Sequence, residues 1–153
     1  MNWPVFIHVL GAVMFLGNVM TAAFWKIKAE LGGDLAHLYK VTRNVMLADY
    51  IFTLPGIVLI VITGIIMTLQ QGYSLLTFNW LTLSIALFAL TGLIWVTILI
   101  PCQLRMIRES QLSLDTHTLT PGYRKASRRW DVFGIMATLL PVATLFLMMT
   151  KPF

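Results

Sequence analysis

Charge is scarce in this chain. Asp, Glu, Lys and Arg make up 11% of its 153 residues, whereas a soluble domain carries roughly 25%. A single cysteine, Cys102, excludes an internal disulfide and any zinc site built on thiolates. The sequence has no Gly-rich phosphate loop, no Ser/His/Asp set and no paired catalytic carboxylates. Soluble-enzyme chemistry therefore has no foothold. At this length there is also no room for a catalytic module beside a membrane domain.

What is abundant is apolar surface, at 58% of residues. It falls into runs of about 20 residues, the length that crosses a ~30 Å hydrocarbon layer. The expected spans are 4–25, 45–69, 80–101 and 131–150, forming one transmembrane domain. The basic residues lie almost wholly between them. Lys26, Lys28, Lys40 and Arg43 form one group; Arg105, Arg108, Arg124, Lys125, Arg128 and Arg129 form the other; only Lys151 falls elsewhere. Loops rich in Lys and Arg stay cytoplasmic. The expected architecture is thus all-α, an integral membrane four-helix up-down bundle with both termini on the outer, periplasmic side. The net charge of +5 then reflects topology and contact with the lipid bilayer, and no nucleic-acid partner is expected. Met1-Asn2-Trp3 lacks the Lys or Arg of a signal peptide, so the first run is read as a retained span. Asp34, after Gly32-Gly33, is expected to cap the second helix. Leu104 to Arg129 reads as a headgroup-facing connector, and Pro55 is expected to bend the second span.

Each span carries one stripe of small or weakly polar residues at steps of three and four, the pattern of a helix–helix seam in lipid. The first holds His8, Gly11, Phe15, Asn18 and Ala22; the second holds Asp49, Thr53, Gly56, Ile60, Thr63, Gly64 and Met67. Ionisable groups within spans are costly and are functional candidates. His8, about one turn below the outer interface, suits a hydrogen bond to a headgroup or a neighbouring helix, or an axial bond to haem iron. Met67 and Met148, at the same level, are the thioethers that would face such an iron. Asn18 on the His8 face is expected to hydrogen-bond across the bundle. Asp49 is expected to form a structural ion pair with Arg43, Arg105, Arg128 or Arg129.

Over nearly its whole length the chain resembles the bacterial four-span membrane family labelled domain of unknown function 2269. The residues that carry the likeness are His8-Val9-Leu10-Gly11, Ala48-Asp49-Tyr50-Ile51-Phe52-Thr53-Leu54-Pro55 and Met148-Met149-Thr150-Lys151-Pro152. A more distant likeness is to the HemJ-type protoporphyrinogen oxidases, through early His8, Pro55 followed by Gly64, Trp80 and the terminal Lys-Pro-Phe. That resemblance implies haem b with His8 as its metal ligand, and Gly11, Asn18, Gly64, Met67 and Met148 are the further residues expected around such a cofactor. Ser84 and Trp95 stand where those proteins carry a lysine and a histidine, which separates haem binding from porphyrinogen oxidation. CopD-like copper-resistance proteins are a looser likeness. The expected function is therefore haem-based electron transfer or redox chemistry with a lipophilic partner in a bacterial inner membrane, as a homo-oligomer or part of a larger complex. If the protein is an enzyme, it is an oxidoreductase of that type. The alternatives are a cofactor-free assembly subunit and a metal or small-molecule permease.

Overall fold

The computed structural model describes residues 2–153. Four helices, each long and apolar enough to cross a membrane, run α1 (Trp3–Gly32), α2 (Leu35–Gln71), α3 (Trp80–Thr116) and α4 (Pro121–Thr150). They form an up-down bundle, with the chain ends together at one end (the terminal end) and most basic residues at the other (the basic end).

Local chemistry sets the boundaries. Gly33 closes α1 in the left-handed region at φ +70°, a conformation without steric cost for glycine. Asp34 caps α2 as expected, its carboxylate accepting the Ala36 and His37 N–H groups. Asn79 and Thr82 form a reciprocal capping box at the start of α3. Thr120 caps α4 ahead of Pro121, a residue suited to the first helical position.

Two of the helices contain π turns, Asp49–Thr53 in α2 and Trp95–Leu99 in α3. A proline follows each one, Pro55 and Pro101. Proline has no N–H and its ring crowds the carbonyl four residues back. The widened turn takes up that strain without ending the helix, so what Pro55 produces locally is a π turn.

Leu104 to Arg129 is not a loose connector. α3 continues to Thr116 and α4 begins at Pro121, so only 117–120 turn between them. At 1.5 Å of rise per residue, a helix of 37 residues such as α2 or α3 is about 55 Å long, well beyond a ~30 Å core. The basic end therefore projects as a four-helix bundle with a protein-like interior. Ala29, Leu38, Val45, Cys102, Met106, Tyr123, Ala126 and Trp130 pack there. The terminal end is joined differently. α1 and α2 stay close, as do α3 and α4. Among the described residues, however, no Cα of Leu54–Gln71 comes within 8 Å of Trp80–Ile94.

Glycine makes the α1–α2 approach. A Cβ on Gly11 would stand 2.9 Å from the Gly56 carbonyl oxygen, and one on Gly56 would stand 2.9 Å from that of Gly11. The face of Gly11 assigned to a cofactor is thus filled by α2, and Gly11 is a helix-packing residue. Gly92 has nothing within 4 Å of its Cβ position. Gly56→Ala is expected to lower stability by about 1–3 kcal/mol through overpacking against backbone. Gly92→Ala should be neutral or stabilising by up to about 1 kcal/mol. Thermal unfolding of both variants in one detergent checks the contrast.

Candidate functional site

The polar chemistry within the bundle falls into three clusters. Deepest in the basic end lies Lys26, whose residue exposure is 0%. An ammonium has three N–H donors, and each has an acceptor here. Asp131 Oδ1 lies at 2.6 Å, Ser127 Oγ at 2.7 Å and Glu30 Oε1 at 3.0 Å. The Trp130 ring faces the same nitrogen at 4.8 Å. Glu30 also accepts from the Tyr123 and Ser127 hydroxyls. Lys26 and Glu30 are one turn apart on α1, while Tyr123, Ser127 and Asp131 recur every fourth residue on α4. The set clasps the first helix to the last.

The second cluster centres on Asp49 at the start of the α2 π turn, 5% exposed. Its Oδ1 accepts from Asn18 Nδ2 at 2.8 Å and from Thr53 Oγ1 at 2.9 Å. Oδ2 accepts from Gln103 Nε2 at 2.7 Å. Asn18 also donates to Thr53 Oγ1 at 2.9 Å. Three helices meet on one carboxylate through amides and a hydroxyl. The expected ion pair with Arg43, Arg105, Arg128 or Arg129 is corrected: among the described residues both ion pairs belong to Lys26. Hydrogen bonds to the charged form stabilise a carboxylate without a cation, which is why burial alone did not specify an arginine. Asn18 crosses the bundle as expected, but to Asp49 and Thr53, so its amide is engaged there and not at a cofactor.

His8 forms the third site, half-buried on α1 toward the terminal end. Its Nδ1 lies 2.9 Å from Thr63 Oγ1. The Thr63 hydroxyl points its own proton at the Leu59 or Ile60 carbonyl. With Nδ1 protonated, the hydroxyl accepts from the ring and Nε2 keeps its lone pair. The Cε1 atom lies 3.5 Å from where a Gly64 Cβ would stand, so Gly64 seats the imidazole. Met67 sits one turn beyond Thr63 on α2, and Met148 is half-buried on α4. Among the described residues no group of three or more His, Cys, Asp or Glu side chains could hold a metal ion. Two cavities, of about 480 and 310 Å³, lie at the basic end, one on α4 around Arg128 and one between Glu30 and His117.

Sequence reasoning treated Lys26 as a topological anchor and passed over Glu30, Gln103, Tyr123, Ser127 and Asp131. The four-residue spacing of Tyr123, Ser127 and Asp131 was the signal available. Tyr123 and Ser127 at that spacing, with Arg124, Lys125, Arg128 and Arg129 on the remaining face, mark the side of α4 turned inward.

Helix number, helix length and polar groups turned inward define a four-helix integral membrane protein. A family model of predicted integral membrane proteins, DUF2269, matches residues 4–152. The chain belongs to that family. No curated protein and no solved structure matches it. The HemJ-type and CopD-like likenesses thus remain expectations from sequence.

Removing only the Lys26 charge leaves two acids around an apolar gap. Lys26→Met is expected to cost about 1–3 kcal/mol, because Glu30 and Asp131, with side chains 22% and 39% exposed, stay partly in water. Adding Glu30→Gln and Asp131→Asn should restore much of that loss, because no buried charge is then unpaired. Gln103→Ala is expected to cost about 1.5–3 kcal/mol, while Arg128→Gln stays within about 0.5 kcal/mol. Thermal unfolding in detergent tests both comparisons, and an Arg128 effect as large as that of Gln103 would restore the arginine pairing.

Proposed function

We propose that this chain is a haem-b-binding protein of the bacterial inner membrane, acting in electron transfer or a redox step with a lipophilic partner. The observation that supports the reading is the anchoring of His8. Metal-bound imidazoles characteristically donate one ring N–H to a neighbouring acceptor and ligate through the other nitrogen. Thr63 supplies that acceptor, leaving Nε2 as the ligating atom. Gly64 leaves the ring room to stand upright between α1 and α2. Met67 and Met148 are the thioethers at that end of the bundle, and either would complete a His/Met pair. Bound haem would supply the one-electron chemistry. The chain's own contribution is to fix the tautomer, orient the ring and exclude water with apolar helices. With the basic end cytoplasmic by the positive-inside rule, His8 and both termini face the periplasm.

A second reading, a cofactor-free structural or assembly subunit, is favoured by the same packing. The His8 ring fills the space over Gly64 at ordinary van der Waals distance, as a structural side chain would.

An absorption spectrum separates the two. Protein purified from haem-replete cells is expected to show a Soret band that His8→Ala abolishes while the bundle stays folded by circular dichroism. Thr63→Val, which removes the Nδ1 acceptor, should weaken haem retention by roughly 10–100-fold. A colourless, folded wild-type preparation rejects the haem reading and leaves the subunit.

A further inference from the structure

Where α4 enters the membrane, four cations converge on one groove and have no acidic partner. Arg124, Lys125, Arg128 and Arg129 line an open recess of about 480 Å³ along the outer face of α4, and Val132 and Phe133 continue that face toward the membrane. All four basic side chains are exposed. Arg124 and Arg128 are one turn apart, as are Lys125 and Arg129, so the two pairs share the same side of the helix. Among the described residues none of the four forms an ion pair. Glu109, the acid beside Gly122, is bonded to the Thr120 hydroxyl at 2.9 Å. Other cations lie over rings: Lys28 over Trp25, Arg43 over Tyr39 and Lys151 over Trp80.

The register of this groove matches a lipid leaflet. The apolar part of α4, from Asp131 to Thr150, rises about 30 Å at 1.5 Å per residue, one hydrocarbon thickness. Val132 and Phe133 then lie at the edge of the acyl layer. Arg129 and Arg128 stand about 3 to 5 Å farther out along the axis, within the headgroup layer of roughly 5–8 Å, and Lys125 and Arg124 about 9 to 11 Å out, at its aqueous edge. Arg129 lies over the Phe133 ring at 5.9 Å, so its guanidinium spans the boundary between the polar and apolar parts. A soluble anion would use the cations and leave the apolar wall idle. A phospholipid uses both.

We propose that this groove is a binding site for an anionic phospholipid of the adjoining leaflet. The phosphate is held by Arg124, Lys125, Arg128 and Arg129, and an acyl chain lies against Val132 and Phe133. The site is separate from His8 and does not depend on haem.

Native mass spectrometry of the full chain in neutral detergent tests the assignment, with phosphatidylglycerol, phosphatidylcholine and inorganic phosphate as probes. Phosphatidylglycerol is expected to be retained in preference to phosphatidylcholine. Arg124→Gln with Arg128→Gln should lower phosphatidylglycerol affinity about fivefold for each charge removed. Phe133→Ala should weaken retention of the lipid and leave inorganic phosphate unaffected. Lys40→Gln with Arg43→Gln, which removes two cations elsewhere at the basic end, should leave the lipid bound. An equal loss in that control would mean a diffuse surface field and overturn the site. Equal retention of the two lipids would overturn it as well. Displacement of the lipid by equimolar inorganic phosphate would make it a free-phosphate site.

Discussion

The arrangement of this bundle depends on one buried ammonium. Removing a charge from water costs several kcal/mol even after relaxation, and Lys26 lies fully buried between α1 and α4. Such a charge is tolerable only with each of its three N–H groups accepted, and Asp131, Glu30 and Ser127 accept them. That requirement fixes the rotation of α1 and α4 about their own axes. It also fixes their relative height, since a one-residue slide would break the bonds from Lys26 to Asp131 and Ser127. Trp130 covers the ammonium, and Tyr123 completes the Glu30 shell. The packed interior of the basic end is arranged around this point.

Asp49 plays the corresponding part for the other helices. The π turn at Asp49–Thr53 brings Thr53 Oγ1 onto the carboxylate, and Asn18 and Gln103 reach it from α1 and α3. In lipid the hydrophobic effect does not drive helices together, so association relies on close backbone approach and interhelical hydrogen bonds. The basic end has most of the interhelical hydrogen bonds. The terminal end has the Gly11–Gly56 contact, and there α2 and α3 stand apart. His8 occupies this more open half, held by Thr63. The ion-paired cluster around Lys26 and the His8 site thus lie at opposite ends of the molecule.

Most of the fold was legible. Four apolar runs separated by basic clusters specify four spans, and Asp34 after Gly33 marked a helix start that the structure keeps. The stripe containing Asn18, Asp49, Thr53, Gly56 and Thr63 does face the bundle interior. The misreadings share one cause. Leu104 to Arg129 lacks a long apolar run, yet it folds as helix because Cys102, Met106, Tyr123, Ala126 and Trp130 find partners on α1 and α2. Asp49 was matched with arginines by charge, whereas the neutral donors of Asn18, Thr53 and Gln103 satisfy it. Lys26 was counted with the surface cations because its acidic partner Asp131 is a hundred residues away in the chain.

The order of residues by itself determined the number of spans, their helical character, the main boundaries and the clustering of basic residues at one end. These follow from the length of apolar runs, from capping chemistry and from the cost of charge in lipid, all of which act locally. Only the tertiary structure decided which charges are buried, which polar groups meet and which glycine faces which backbone. Those outcomes depend on the rotation and height of each helix relative to its neighbours, and contacts between residues distant in the chain set both.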